Sequence, residues 1–581
     1  MSTFWRKATS RVHLPAVVRA EDTLRSLSYT GRALFMFFAA VCVVSSLGLI
    51  YMMNRQLVVS TPARGGSLTE GIIGSPRFIN PILAVSDADR DLTALVYSGL
   101  LHATPQGQYV PDLASEYSVS PDGKTYTFVI RSDATFQNGT PVTADDVAYT
   151  VQKIQDAALK SPLRANWEGV DVQILDSHTI TFSLRSAYAP FVENLTLGVV
   201  PKALWQGVTD DEFPFSDLNT SPIGSGPYRV SSISRTASGI PSSYKLTAFA
   251  QYALGEPYLT RLTLQFYQSE TALESALANG DVESASGISP ASLGSLDANI
   301  KTVPLNRVFG VFFNQNQSEV LRIAEARQAL SDSIDRTDLV RVVLGGYGVP
   351  LTGPVPPSLS KAALADTVGS STLMQSARET LLQKGWKLEN GVLTKTTGTG
   401  KTQKTVTLRL TLATANVPEL RAAAQYLKEV WSAMGAQIDV QVYDQGDLSQ
   451  NVIRPRKYDA LLFGEVVGRE LDLFAFWHSS QRNDPGLNIA GYANATADKA
   501  LETLRTTSDP AARQELIKTF SAQVAKDMPA AFLYAPDFVY SIPNDIAGVD
   551  LGFVETPSDR FLGVAQWHRE TDYVWPLFVS K

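Results

Sequence analysis

One cysteine, Cys42, occurs in a chain of 581 residues, and it lies inside an uncharged run. The rest of the chain therefore has no disulfide, no thiol nucleophile and no cysteine-based zinc site. Histidine is almost as scarce. His13, His102, His178, His478 and His568 are scattered, with no His-Glu-x-x-His and no paired metal spacing. A Gly-Lys-Ser/Thr phosphate loop is also missing, and Ser, His and Asp are too common to define a catalytic triad. These absences argue against an enzyme and imply no cofactor and no metal. Positive charge is in short supply too. The net charge is −7, and beyond residue 58 there are 43 Lys and Arg against 55 Asp and Glu. An acidic body of that kind argues against nucleic acid and anionic lipid as its partners.

What is present begins with a long apolar run. Ala33 to Met53, ALFMFFAAVCVVSSLGLIYMM, contains no charge and is long enough to cross a bilayer as a helix. Arg6, Lys7, Arg11, Arg19, Arg25 and Arg32 precede it, which orients the amino terminus toward the cytoplasm and exports the rest of the chain. A cleaved secretory signal and a lipoprotein signal on Cys42 are alternatives. The long amino-terminal region, the lack of an A-x-A site and the bulky Val41 favour an uncleaved signal anchor. Asn54 to Arg64 then reads as a short polar tether.

The densest punctuation lies between Pro111 and Lys153. Asp122-Gly123 predicts a hairpin turn, and Tyr126, Phe128 and Ile130 alternate with Thr125, Thr127 and Val129 as a half-buried strand. Asn138-Gly139 predicts a second turn. Thr143-Ala144-Asp145-Asp146 reads as a capping box for a helix striped by Val147, Val151 and Ile154. Further on, Val320, Ile323, Leu330 and Ile334 stripe a helix. Val406, Leu408, Leu410 and Leu412 predict a strand, Leu420, Leu427, Trp431 and Met434 a helix, and Ile438, Val440 and Val442 a second strand: a βαβ unit. Asp366 to Leu373 and Thr394 to Thr405 read as the softest segments.

The run PDLASEYSVSPDGKTYTFVIR…FQNGTPVTADDV resembles the family-5 extracellular solute-binding proteins, the peptide- and nickel-binding subunits of bacterial ABC importers. Other landmarks occur in family order: Asn80-Pro81, SPIGSGPYRV from Ser221, Gly280-Asp281-Val282-Glu283, Arg327 with Asp335-Arg336, LLQKGWKLENG from Leu381, and Tyr458-Asp459. Ser225 and Glu283 stand where the family usually has Thr and Asp. The resemblance implies an α/β fold of the periplasmic-binding-protein type: two lobes joined by crossing strands, with an extra small subdomain. The expected layout is a cytoplasmic tail 1–32, an anchor 33–53 and a tether 54–64. Lobe I is then 65–100, 185–305 and 530–581, the small subdomain 101–184, and lobe II 306–529.

It also implies that a ligand lies extended in the cleft between the lobes and that the closed form docks on a membrane permease. Peptide-binding members pair the ligand's ammonium with an Asp soon after the Tyr-Asp strand. Here Gly468-Arg469 stands at about that place, and Glu465, Glu470 and Asp472 are the candidate replacements. Gly464, Val466 and Val467 share the segment; Phe78, Phe312, Asn314 and Trp477 are further cleft candidates. The expected partners are a peptide or peptide-like ligand, ABC permease and ATPase subunits, and the membrane through the apolar helix, with the protein itself a monomer. The expected location is the cell membrane, single-pass, with the binding domain outside the cytoplasm. The alternative is an anchored receptor or folding factor of the same fold.

Overall fold

The computed structural model describes residues 23–293, 299–359, 370–399 and 402–575. Two units are distinguished, one of Arg64–Arg569 and one made from the two ends of the chain. In the terminal unit the apolar run is a helix, Tyr29–Leu57, capped by the Ser28 side chain. Its stretch Tyr29–Asn54 is long and apolar enough to cross a membrane, and none of it is buried in protein. Residues 1–22 of the basic tail lie outside the described residues.

The expected polar tether is largely ordered. Val59–Ala63 is a strand, paired antiparallel with Glu570–Val574, so that Val59 faces Val574 and Ala63 faces Glu570. Residues 570–574, expected in the first lobe, belong to this ribbon instead. Its partner strand is some 500 positions away in sequence, and no local pattern encodes such a pairing.

The main unit carries two large cores. In the first lobe Gly65–Ile73 pairs in parallel with Leu259–Tyr267, and Pro241–Ala248 and Tyr228–Arg235 extend the sheet antiparallel. In the second, Arg409–Ala415 lies parallel to both Gln437–Tyr443 and Ala460–Val466. The helix Pro418–Met434 connects the first two and ends at Gly435 with φ 113°, where a side chain would be strained. This is the expected βαβ unit.

Ala530–Ser541 runs through both lobes. Its first part pairs with Arg307–Phe313 and its last part with Ile300–Pro304 and Ser284–Ser286. Ala530 to Ala535 accordingly pack in the second core and Phe538 and Tyr540 in the first. The expected boundary at 529 therefore falls before the crossing, which occurs inside this strand.

The small subdomain is a four-stranded antiparallel sheet ordered Ala114–Val119, Thr125–Ile130, Thr179–Ser183, Asp171–Ile174. Gly123 takes a left-handed φ of 68° in the expected hairpin turn. Asp146 accepts from the Thr143 amide at 2.9 Å, fixing the start of the helix Ala144–Gln155. Phe128, Val147 and Phe182 of this subdomain share one core with Leu92 and Leu264 of the first lobe.

Two local expectations are revised. The stripe from Val320 to Ile334 is a 3-10 turn, Val320–Arg322, followed by a helix, Ala324–Asp332, because extended Ile323 breaks it. Val406 and Leu412 lie on separate strands, since Lys404–Thr407 joins Val392–Thr397 and Lys387–Glu389 in a small sheet. Residues 394–397 and 404–405 of the soft segment are thus paired strands, while 366–369 and 400–401 lie outside the described residues.

Candidate functional site

A cleft of about 870 Å³ opens between the lobes. One wall comes from the first lobe and small subdomain, with Trp167, Arg185, Tyr188, Glu193 and Glu555. The other comes from the second lobe, with Val466, Gly468, Asp472, Phe476 and Arg505. A second recess of about 740 Å³ contains Tyr109, Tyr117, Tyr126 and Tyr188 opposite Glu470 and Arg513. Tyr188 lines both.

The walls are tied together by hydrogen bonds, ring contacts and an ion pair. The Tyr188 hydroxyl donates to Asp472 Oδ2 at 2.9 Å, and Arg505 Nε lies 3.2 Å from the same oxygen. The Arg505 guanidinium also sits between two rings, 4.8 Å from that of Tyr188 and 4.4 Å from that of Phe474, a cation–π arrangement that spans the lobes. The Ala189 amide donates to the Arg505 carbonyl at 2.8 Å. Deeper in, Arg469 Nη2 is 2.6 Å from Asp559 Oδ2, and its guanidinium lies 5.2 Å from the ring of Phe553.

Glu193 accepts the Arg469 amide at 3.3 Å. A Cβ on Gly468 would stand 3.2 Å from Glu193 Oε2, so the glycine is what allows the walls to approach so closely. Burial raises the pKa of Glu193 and of Glu555, and for Glu555 the neighbouring Glu193 carboxylate adds to the rise. Burial alone would lower the pKa of Arg469, but Asp559 and Glu555 more than compensate and keep it charged. One fixed cation therefore faces two carboxyl groups, Glu193 and Glu555, that burial pushes toward the neutral form.

The residues expected at the site separate into two groups. Val466, 45% exposed, and Asp472 line the larger cleft; Glu470 lines the recess beside Arg513, whose Nη2 is 3.7 Å from it. The others do not line either space. Glu465 is 2% exposed and accepts from Trp477 Nε1 at 3.1 Å. Gly464 packs under the Phe309 ring, and Val467 is pinned through its backbone to Asn306. Phe312 and Trp477 are fully buried, their ring centroids 6.0 Å apart in the second core. Asn314 spends its side chain on the carbonyl of Arg456 and the amide of Asn316. Phe78 packs against the first core beneath Arg77. Strand alternation explains the division: Ala460–Val466 is sandwiched in the sheet, and only its last residue and the turn beyond reach the opening.

Sequence reasoning missed Tyr188, Glu193, Arg505 and Glu555. Tyr188 and Glu193 flank Pro190 in a connection after the small sheet, the one signal that marked them. The remaining two come from distant segments that only the fold brings together.

Residues 108–485 match the sequence model of the bacterial extracellular solute-binding proteins, family 5. The chain belongs to that family. The oligopeptide-binding protein AppA of Bacillus subtilis is 26% identical over 501 residues, covering 84% of this chain and 89% of AppA. Among solved structures, the ABC transporter substrate-binding protein CtaP of Listeria monocytogenes superposes with a TM-score of 0.71 at 26% identity. That match covers 87% of this chain and 100% of CtaP. AppA itself, in complex with a nonapeptide, superposes with a TM-score of 0.64 at 24% identity, covering 87% of this chain and 99% of AppA. The extracytoplasmic location and the mixed α/β two-lobed fold follow from this membership.

Proposed function

We propose that the chain captures peptides in the interlobe cleft and delivers them to an ABC permease while its apolar helix holds it in the membrane. The observation that carries the reading is the cleft itself. It lies in the size range of small-ligand sites, and both of its walls present charged groups beside aromatic surface. Extended peptides suit such a groove, because main-chain hydrogen bonds give affinity that is insensitive to side chains. The name of the relative AppA, an oligopeptide-binding protein, supports the same ligand class.

In this reading Asp472 and Glu193, on opposite walls, receive the ligand's ammonium in place of the family's usual Asp. Tyr188, Arg505 and Arg469 hold the lobes together around it. The contacts now joining Tyr188, Asp472 and Arg505 occupy part of the groove, so a peptide enters only when the lobes part. Titration calorimetry with defined peptides tests the proposal, using the full chain in detergent. Saturable heat with free-amino peptides, weakened by amino-terminal acetylation, supports it; equal binding of acetylated and free peptides contradicts the assigned ammonium site.

A further inference from the structure

The terminal ribbon has two dissimilar ends. At the end where Val59 faces Val574, it meets the apolar helix, whose last residue is Leu57. This end is rich in exposed apolar surface: Val59 is 46%, Tyr573 73% and Trp575 41% exposed. At the other end Ala63 faces Glu570, an exposed carboxylate. Both chain connections to the main unit, at Ala63 and Glu570, leave from this acidic end.

Distance along the helix places the aromatic end. The uncharged run stops at Met53, and Val58 lies beyond it by about a turn and a half, on the order of 7 Å of rise. That is about the thickness of one headgroup layer beyond the hydrocarbon. The antiparallel register carries Tyr573 and then Trp575 back toward the same level. Tyrosine and tryptophan collect in this layer, their amphipathic rings at the level of the headgroups. Glu570 sits at the end that this geometry leaves in water. The sequence after Trp575 continues with Pro576, Leu577, Phe578 and Val579.

We infer that Tyr573 and Trp575 seat the carboxy-terminal strand in the headgroup layer of the bilayer that the helix crosses. The partner is a lipid surface, and the strand is a second membrane attachment beside the helix. The inference rests on the proposed anchor. It makes the link to the membrane a paired ribbon rather than a single flexible strand.

The lone cysteine allows both ideas to be read separately. The full chain is labelled with an environment-sensitive fluorophore at native Cys42 or, in Cys42→Ser chains, at Tyr573→Cys, Trp575→Cys or Glu570→Cys. Each is reconstituted in phosphatidylcholine vesicles containing nitroxide lipids. The label at Cys42 is expected to lose emission to nitroxides deep in the acyl chains, which reports the anchor. Labels at positions 573 and 575 are expected to lose emission to nitroxides near the headgroup, and the label at 570 to lose none. Quenching at Cys42 with none at 573 or 575 overturns the second attachment and leaves the anchor standing. No quenching at Cys42 overturns the anchor and the inference with it. Trp575 lies beyond the paired strand, so the label there reports even if Tyr573→Cys loosens the ribbon.

Discussion

Arg469 of the second lobe and Asp559 of the first meet between the lobes at 2.6 Å, with the arginine side chain only 6% exposed. An arginine thus stands in the segment where the resemblance led us to expect an acid, and it is used to hold the lobes together. Glu193 and Glu555 crowd the same guanidinium, so its removal leaves carboxyl groups without a counter-charge.

Arg469→Ala is therefore expected to loosen the closed form. Leaving buried carboxylates unpaired costs on the order of 3 kcal/mol. Small-angle scattering of the ligand-free protein should give a larger radius of gyration than wild type. An unchanged radius and melting temperature would show that this pair does not hold the lobes.

Asp472→Asn removes the charge that Tyr188 and Arg505 share. Peptide affinity is expected to fall by about tenfold or more, equivalent to about 1.4 kcal/mol, with little change in melting temperature. Tyr188→Phe, which deletes one hydrogen bond, should cost about 1 kcal/mol. Calorimetry on the two variants checks the order of the effects.

Glu465 tests the separation between core and cleft. Full burial pushes its pKa up to about 8, which the hydrogen bond from Trp477 only partly offsets. The folded state keeps the proton after the unfolded chain, where the carboxyl has its ordinary value of 4.5, has released it. Stability contributed here is present at low pH and is lost as pH rises, by about 1.4 kcal/mol per unit until the folded pKa is passed. Denaturation of Glu465→Gln between pH 5 and 8 should show that slope reduced relative to wild type, while peptide affinity stays the same.

Trp477 makes the same point through volume. Its ring contacts those of Phe312, Phe520 and Phe532, with centroids about 6 Å away. Trp477→Ala should destabilise the second lobe by about 3 to 5 kcal/mol through the cavity it leaves. A loss of binding without a loss of stability would instead place Trp477 at the ligand.

The fold was legible where signals are local. Asp122-Gly123, the Thr143 cap and Gly435 each fix a turn or an end by their own chemistry, and the helix carrying Trp431 is buried along the face its periodicity predicts. The ribbon was not legible, because Val59–Ala63 is ordered by residues 570–574. The site was legible only in part. Asp472 could be named because a family segment pointed to it, yet its neighbours Tyr188 and Arg505 lie hundreds of residues apart in the chain. Glu465 looked equivalent to Asp472 in sequence; one sits in a strand between two layers and the other in the turn that leaves it.

The identity of the cargo decides most directly whether this is a peptide carrier. The full chain, purified in mild detergent, would be examined by native mass spectrometry and then denatured to release its contents. A ladder of bound peptides is the predicted result. A single non-peptide ligand, or an empty protein whose melting temperature no peptide library raises, would contradict the peptide-carrying role.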